Sequence, residues 1–242
     1  MVAKQCRGVE CTRPNATTPA CDRTVAANHK AQVMIDLGQW GRARQALAYE
    51  APSVAAVRAR RATLAARVER ALGETEVGHA LETAQQSLGA GDDPHVRMHL
   101  ALDLALRQPP DAELRRCEEV VQWAADLEFA GVALKARLRA AHARSRAGQT
   151  GPAARAMREL VAQLGEMPPA DLYPGEAWWL AAQVFDANGD GRDALLALVR
   201  GAQWVRSIAL PNVPEPFRDS FLHRNASNRA LLAAADRRRA QV

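Results

Sequence analysis

Lysine is nearly missing from this chain. Of 32 basic residues only Lys4, Lys30 and Lys135 are lysine, and they precede Gln5, Ala31 and Ala136. A phosphate-cradling P-loop needs Gly-Lys-Ser/Thr, because backbone amides wrap the phosphates while the lysine reaches them. Nucleotide hydrolysis of that type is therefore excluded. Aromatic residues make up 5% of the chain, so a core must come mostly from Ala, Leu and Val. No run of about 18 apolar residues exists, and no transmembrane helix is expected. The opening Met-Val-Ala-Lys-Gln-Cys lacks the apolar centre of a secretory signal. Four cysteines in 242 residues do not make a disulfide scaffold, so a reducing, cytoplasmic setting is expected. Long alternating runs of β-branched residues are also missing, which argues against strands.

What is present is helical punctuation. Gly38-Gln39-Trp40-Gly41-Arg42-Ala43 is followed by Leu47. Gly148-Gln149-Thr150-Gly151-Pro152-Ala153 is followed by Met157, and Gly189-Asp190-Gly191-Arg192-Asp193-Ala194 by Leu198. Each glycine follows an apolar-periodic segment, where a helix ends in a left-handed residue. Each alanine opens the next helix, where a larger side chain would push the pair apart. A weaker copy begins at Gly73, and Gln108-Pro109-Pro110 marks another turn. Turns near 38, 73, 109, 148 and 189 are separated by 35, about 36, about 39 and 41 residues. Such spacing is the signature of stacked helix-turn-helix repeats. Breaks between repeats fall at Ala51-Pro52, Gly89 to Pro94, Phe129 to Gly131, Gly165 to Pro174 and Leu210-Pro211. In 53–72, Val57, Leu64, Val68 and Leu72 share one face and Arg60, Arg67 and Arg70 lie opposite, which predicts one buried stripe. Leu195, Leu198, Ala202 and Val205 form a second stripe in 191–207.

The Gly-x-Trp-x-x-Ala-x-x-x-Leu run at 38–47 resembles the second half of a tetratricopeptide repeat (TPR), and the copies at 148 and 189 look similar. The predicted architecture is all-α: a right-handed TPR-like superhelix, an α-solenoid of about five hairpins over 23–210. An irregular segment, 1–22, precedes it, and a capping segment, 211–242, follows. The tail Val213-Pro214-Glu215-Pro216-Phe217-Arg218-Asp219-Ser220-Phe221-Leu222-His223-Arg224-Asn225, then Asn228-Arg229-Ala230-Leu231-Leu232, is similar to the C-terminal end of large bacterial signalling and transcriptional regulators. In those proteins a nucleotide-binding ATPase module precedes a long TPR-like arm, so the resemblance implies that this chain corresponds to the arm. Within the tail, Phe217, Phe221 and Leu222 are expected to cover the last hairpin. His223-Arg224-Asn225 should fix a turn, and Asn225 or Ser227 should cap a final helix reaching about Arg238.

Candidate chemistry is sparse. Cys6, Cys11 and Cys21 offer three thiolates where structural zinc wants four ligands. His95 and His99 are four apart on one helix face, but Val96 stands where a metalloprotease motif needs glutamate. Two partly exposed histidines are expected there. Asp186-Ala187-Asn188-Gly189-Asp190-Gly191 has the look of a calcium loop, but Ala197 falls where its closing glutamate belongs, and an inter-helix turn is expected. The acidic pairs at 92–93 and 118–119 read as helix ends or surface, and Cys117 as a small core residue. No nucleophile signature appears. No catalytic, cofactor-binding or metal-ligating residue is assigned, and no cofactor is expected.

The expected function is therefore a non-catalytic protein-interaction arm in signalling or transcriptional regulation, acting on a protein or peptide. Two alternatives stay open. Residues 1–72 carry 12 basic and 5 acidic side chains against 20 and 22 in the rest. That basic third could serve nucleic acid or be a solvated surface. Trp178, Trp179 and Phe185 could line a small-molecule pocket between helices.

Overall fold

Four glycines fall in the left-handed region, Gly38, Gly73, Gly148 and Gly189, with φ between 68° and 85°. They set the layout of a computed structural model that describes residues 18–48, 54–73, 77–89, 93–164, 169 and 171–240. All regular structure among these residues is helical, and no strand occurs among them. At Gly38, Gly148 and Gly189 two backbone bonds close the preceding helix in the same way. The glycine N–H reaches a carbonyl three residues back, and the next N–H reaches one five residues back: Gly38 to Ile35 and Gln39 to Met34, Gly148 to Ser145 and Gln149 to Arg144, Gly189 to Asp186 and Asp190 to Phe185. Ala43, Ala153 and Ala194 are fully buried, as their place at the helix crossings predicts.

Ten helices form five consecutive pairs: α1 (Thr18–Asp36) with α2 (Trp40–Leu47), α3 (Ala55–Leu72) with α4 (Val77–Ser87), α5 (Pro94–Ala105) with α6 (Pro110–Asp126), α7 (Ala130–Arg146) with α8 (Thr150–Ala162), and α9 (Pro174–Ala187) with α10 (Gly191–Gln203). The first helix of each pair also packs on the first helix of the next. The core follows this order as neighbouring patches, one around Ala31, Leu47 and Leu64, the next around Ala59, Leu81 and Leu100, then Met98, Cys117 and Val132, then a large one from Leu134 to Leu232. After α10 the chain runs through a π-helical turn (Trp204–Ala209) and short 3-10 turns (Leu210–Asn212 and Glu215–Phe217). It ends in α11 (Arg218–His223) and α12 (Ala226–Arg239).

Several boundaries differ from expectation. Helix α1 starts at Thr18, inside the segment predicted to be irregular to residue 22; Pro19 sits in its first turn, where no intrahelical donor is needed. Residues 1–17 lie outside the described residues. The weakly marked break near residue 129 is a full turn, built like the glycine turns but with Glu128 in the left-handed position at φ 60°. Glu128 N–H donates to Ala125 and Phe129 N–H to Ala124. Leu72 and Leu195, placed on buried stripes by periodicity, are exposed. Leu72 is the last residue of α3, and the core contact passes to Val68 and Leu64, one and two turns earlier.

The tail packs on the last hairpin and reaches beyond it. Phe221 is buried in the last core patch, with Phe217 and Leu222 packed against it, and Asn225 caps α12 by accepting from Asn228 N–H at 3.1 Å. Helix α12 packs on α9 and α10 so closely that a Cβ on Gly201 would stand 2.7 Å from Leu231. The same tail also reaches the first hairpin. Ser220 Oγ donates to Leu37 O at 2.8 Å, Asn225 Nδ2 to Asp36 O at 2.9 Å, Gln39 Nε2 to Ser220 Oγ at 2.6 Å and Trp40 Nε1 to Arg224 O at 3.2 Å. Arg42 lies over the Phe217 ring. The row of inner helices is thereby closed between its first and last members.

Candidate functional site

Closure turns the inner helices toward a shared cavity of about 430 Å³. Helix α1 contributes Gln32 and Asp36, α3 Arg60, Arg67 and Arg70, α5 His99 and Asp103, and α7 Lys135 and Arg139. Helix α9 adds Glu176, and the segment before it Asp171 and Tyr173. The arginines of α3, which lie opposite its apolar stripe, thus face the cavity. A helix in a curved row has two neighbours and a concave side, so its polar face meets other polar faces across the cavity.

The wall is organised around Asp103, which is 1% exposed. Arg67 donates to its Oδ2 through Nε at 3.1 Å and Nη2 at 3.0 Å, and Arg139 Nη1 lies 3.6 Å from Oδ1. Burial works to raise the Asp103 carboxyl, but these two guanidiniums outweigh it and hold the group below the ordinary carboxylate range. Arg139 also donates to Glu176 Oε1 at 3.0 Å and to Leu102 O at 3.3 Å. Burial favours losing its proton, yet Glu176 and Asp103 reverse that and raise it above the usual guanidinium value. Gln32 accepts from Arg60 at 3.1 Å.

Lys135 stands apart. It is 7% exposed and, among the described residues, has no hydrogen bond or ion pair. Burial first, then the charges of Arg67 and Arg139, pull its ammonium down to about 7, against the opposing pull of Glu176 and Asp103. Arg70, at the end of α3, also lacks a partner among the described residues. The wall therefore holds five cationic side chains, of which two lack a partner, against four carboxylates that are each hydrogen-bonded. An anionic group is what it can add with least cost.

At the edge of this wall His95 and His99 both point Nε2 at Asp171 Oδ1, at 2.7 and 3.2 Å. Both hydrogen bonds, donated by rings in the Nε2–H tautomer, push the Asp171 carboxyl well below its usual range. His99 is 4% exposed, contrary to the expectation of two partly exposed rings, and burial lowers its own affinity for a proton to about 4. The neutral imidazole is thus compatible with the ionised carboxylate.

The other sequence candidates do not converge. Trp178 turns toward α10, its Cβ 2.8 Å from where a Gly201 side chain would begin and its ring under Arg200. Trp179 lines a separate surface depression with Gln183 and Arg237. Asp190 holds its turn by pairing with Asn188 and Arg158. Asp93 caps α5 by accepting from His95 N–H at 2.9 Å, Glu118 pairs with Arg144 and Glu119 with Arg116. Cys117 is fully buried, which pushes its thiol up to about 12. Cys6 and Cys11 lie outside the described residues.

Missed by sequence reasoning were Asp103, Lys135, Arg139, Asp171 and Glu176. A signal did exist. His99 with Asp103, and Lys135 with Arg139, are charged or polar pairs four apart on helices whose remaining positions are mostly apolar. No helix among the described residues is long and apolar enough to cross a membrane. No family model, curated protein or solved structure matches the chain.

Proposed function

We propose that the chain is a non-catalytic recognition module, a TPR-like solenoid of five hairpins that serves bacterial signalling or transcriptional regulation by binding an acidic segment of a protein partner on its inner wall. The observation that carries this reading is Lys135. It is a buried cation without a partner, beside Arg67 and Arg139, which are already paired with carboxylates, and a carboxylate brought to it would compensate its charge. The tail's resemblance to regulators with a helical arm supports the process.

Calorimetry with a glutamate-rich decapeptide tests the binding. The acidic peptide binds and a neutral or arginine-rich one does not, and Lys135→Gln and Arg70→Gln each weaken it at least tenfold. Because Lys135 gains a proton when a carboxylate arrives, binding at pH 8 also takes up protons, seen as different heats in Tris and HEPES buffers. Equal binding of all three peptides would defeat the reading.

Closure of the wall into a cavity favours a second reading, a sensor for a small carboxylate. Thermal stabilisation by citrate, but not by the peptide, would support it. Nucleic-acid binding is disfavoured by the inward turn of Arg60 and Arg67 in the basic third.

A further inference from the structure

We propose that His95, His99 and Asp171 form a binding site for a divalent transition-metal ion such as Zn²⁺. One ligand atom from each residue can be chosen so that all three lie within 4.8 Å of one another. The imidazole nitrogens come from one face of α5 and the carboxylate oxygen from the segment leading into α9, so the set joins parts of the chain 72 residues apart or more.

Several contacts hold the three groups in place. A Cβ on Gly131, at the start of α7, would lie 2.7 Å from Asp171 Oδ2, so the oxygen approaches only because that residue has no side chain. Asp93 fixes the first turn of α5 by capping it, and the Phe129 ring packs 5.6 Å from the His95 ring. The His95 and His99 rings meet edge to face at 4.5 Å, which holds both Nε2 atoms toward one point.

Two nitrogens and one carboxylate oxygen suit Zn²⁺, Co²⁺, Ni²⁺ or Fe²⁺, not the all-oxygen shells of Mg²⁺ and Ca²⁺. Three protein ligands leave a coordination position open. His99 and Asp171 belong to the cavity wall, so that position is available to a ligand in the cavity. The site does not depend on what the cavity binds.

The experiment titrates Co²⁺, then Zn²⁺, into chelator-treated full-length protein. One equivalent of Co²⁺ should give visible d–d bands without a near-ultraviolet thiolate band, and Zn²⁺ should displace it. Asp171→Asn and His95→Ala should each weaken binding at least tenfold. Circular dichroism checks that these variants fold. On the unmutated chain, Co²⁺ should shift the imidazole proton resonances of two of the six histidines. Failure to bind either ion, ligation by thiolates alone, affinity unchanged in both variants, or no pair of shifted histidines would overturn the proposal. The His–Asp hydrogen bonds would then be what holds the segment before α9 in place.

Discussion

Lys135 is the residue whose environment disagrees most with its chemistry. An ammonium on a solvated helix titrates near 10.5, and here burial and the neighbouring guanidiniums bring it down to about 7. Between about pH 7 and 10.5 the unfolded chain therefore holds a proton that the folded chain has released, so folding becomes more favourable as pH rises through that window. Below it both states are protonated and the full cost of the buried charge remains. Lys135→Met removes this dependence. Urea denaturation should find the variant more stable than the unmutated protein at pH 6.5, with the gap narrowing at pH 8 and again at pH 9.5. A gap that stays constant would mean that the ammonium is not desolvated. Glu128 makes a second prediction at this scale. Its left-handed backbone costs roughly 1 kcal/mol for a residue with a Cβ, and its side chain is exposed. Glu128→Gly should raise stability by about that amount in the same denaturation assay.

At the scale of elements, the turns were legible and the faces were not. A glycine after an apolar helix is a local signal, since the left-handed residue is required wherever the helix ends, and Gly38, Gly148 and Gly189 all adopt it. The turn at Glu128 gave no such signal, because glutamate is tolerated there only at a cost. The arginines of α3 were placed only opposite the apolar stripe, because periodicity tells a polar face from an apolar one but not what lies across from it. Asp171 could not be joined to His95 and His99 at all, because the packing of α7 on α5 and of α9 on α7 brings them together. The glycines also differ in a way that sequence does not show. A Cβ at Gly148 meets nothing within 4 Å, whereas one at Gly38 would stand 2.5 Å from Ser220 O and 2.7 Å from Asn225 N. Gly148→Ala should cost only the backbone term of about 1 kcal/mol. Gly38→Ala should cost that plus about 1–3 kcal/mol for displacing backbone it cannot share space with. Equal losses in thermal denaturation would show that the tail does not seat against this turn.

For the whole molecule the question is whether the row of hairpins is open or closed. A row of stacked hairpins leaves an apolar stripe exposed at its last member unless something covers it, and α12 with Phe221 covers the stripe on α10. That duty alone would not require the tail to touch the first hairpin. Yet Ser220 of α11 donates to Leu37 O, and the turn before α12 donates to Asp36 O through Asn225 and accepts from Trp40 at the Arg224 carbonyl. Asn225 joins the two duties in one side chain: Oδ1 caps α12 and Nδ2 reaches Asp36 O. Asn225→Asp separates them. The carboxylate keeps the capping acceptor and is favoured at a helix N-terminus, but it has no donor for the Asp36 carbonyl and sets two oxygens against each other. Helix content and the packing of α12 on α9 and α10 should therefore persist while the seam to α1 weakens, at a cost of about 1–3 kcal/mol for the carbonyl left without its buried donor. Hydrogen exchange reads the difference by location. Amides of α1 and α2 should lose protection in Asn225→Asp while those of α9, α10 and α12 keep theirs, and binding of the acidic peptide should weaken because the cavity loses one wall. Loss of protection spread equally over α9 to α12 would mean that Asn225 acts only as a cap, and that the first hairpin is held by α3 alone.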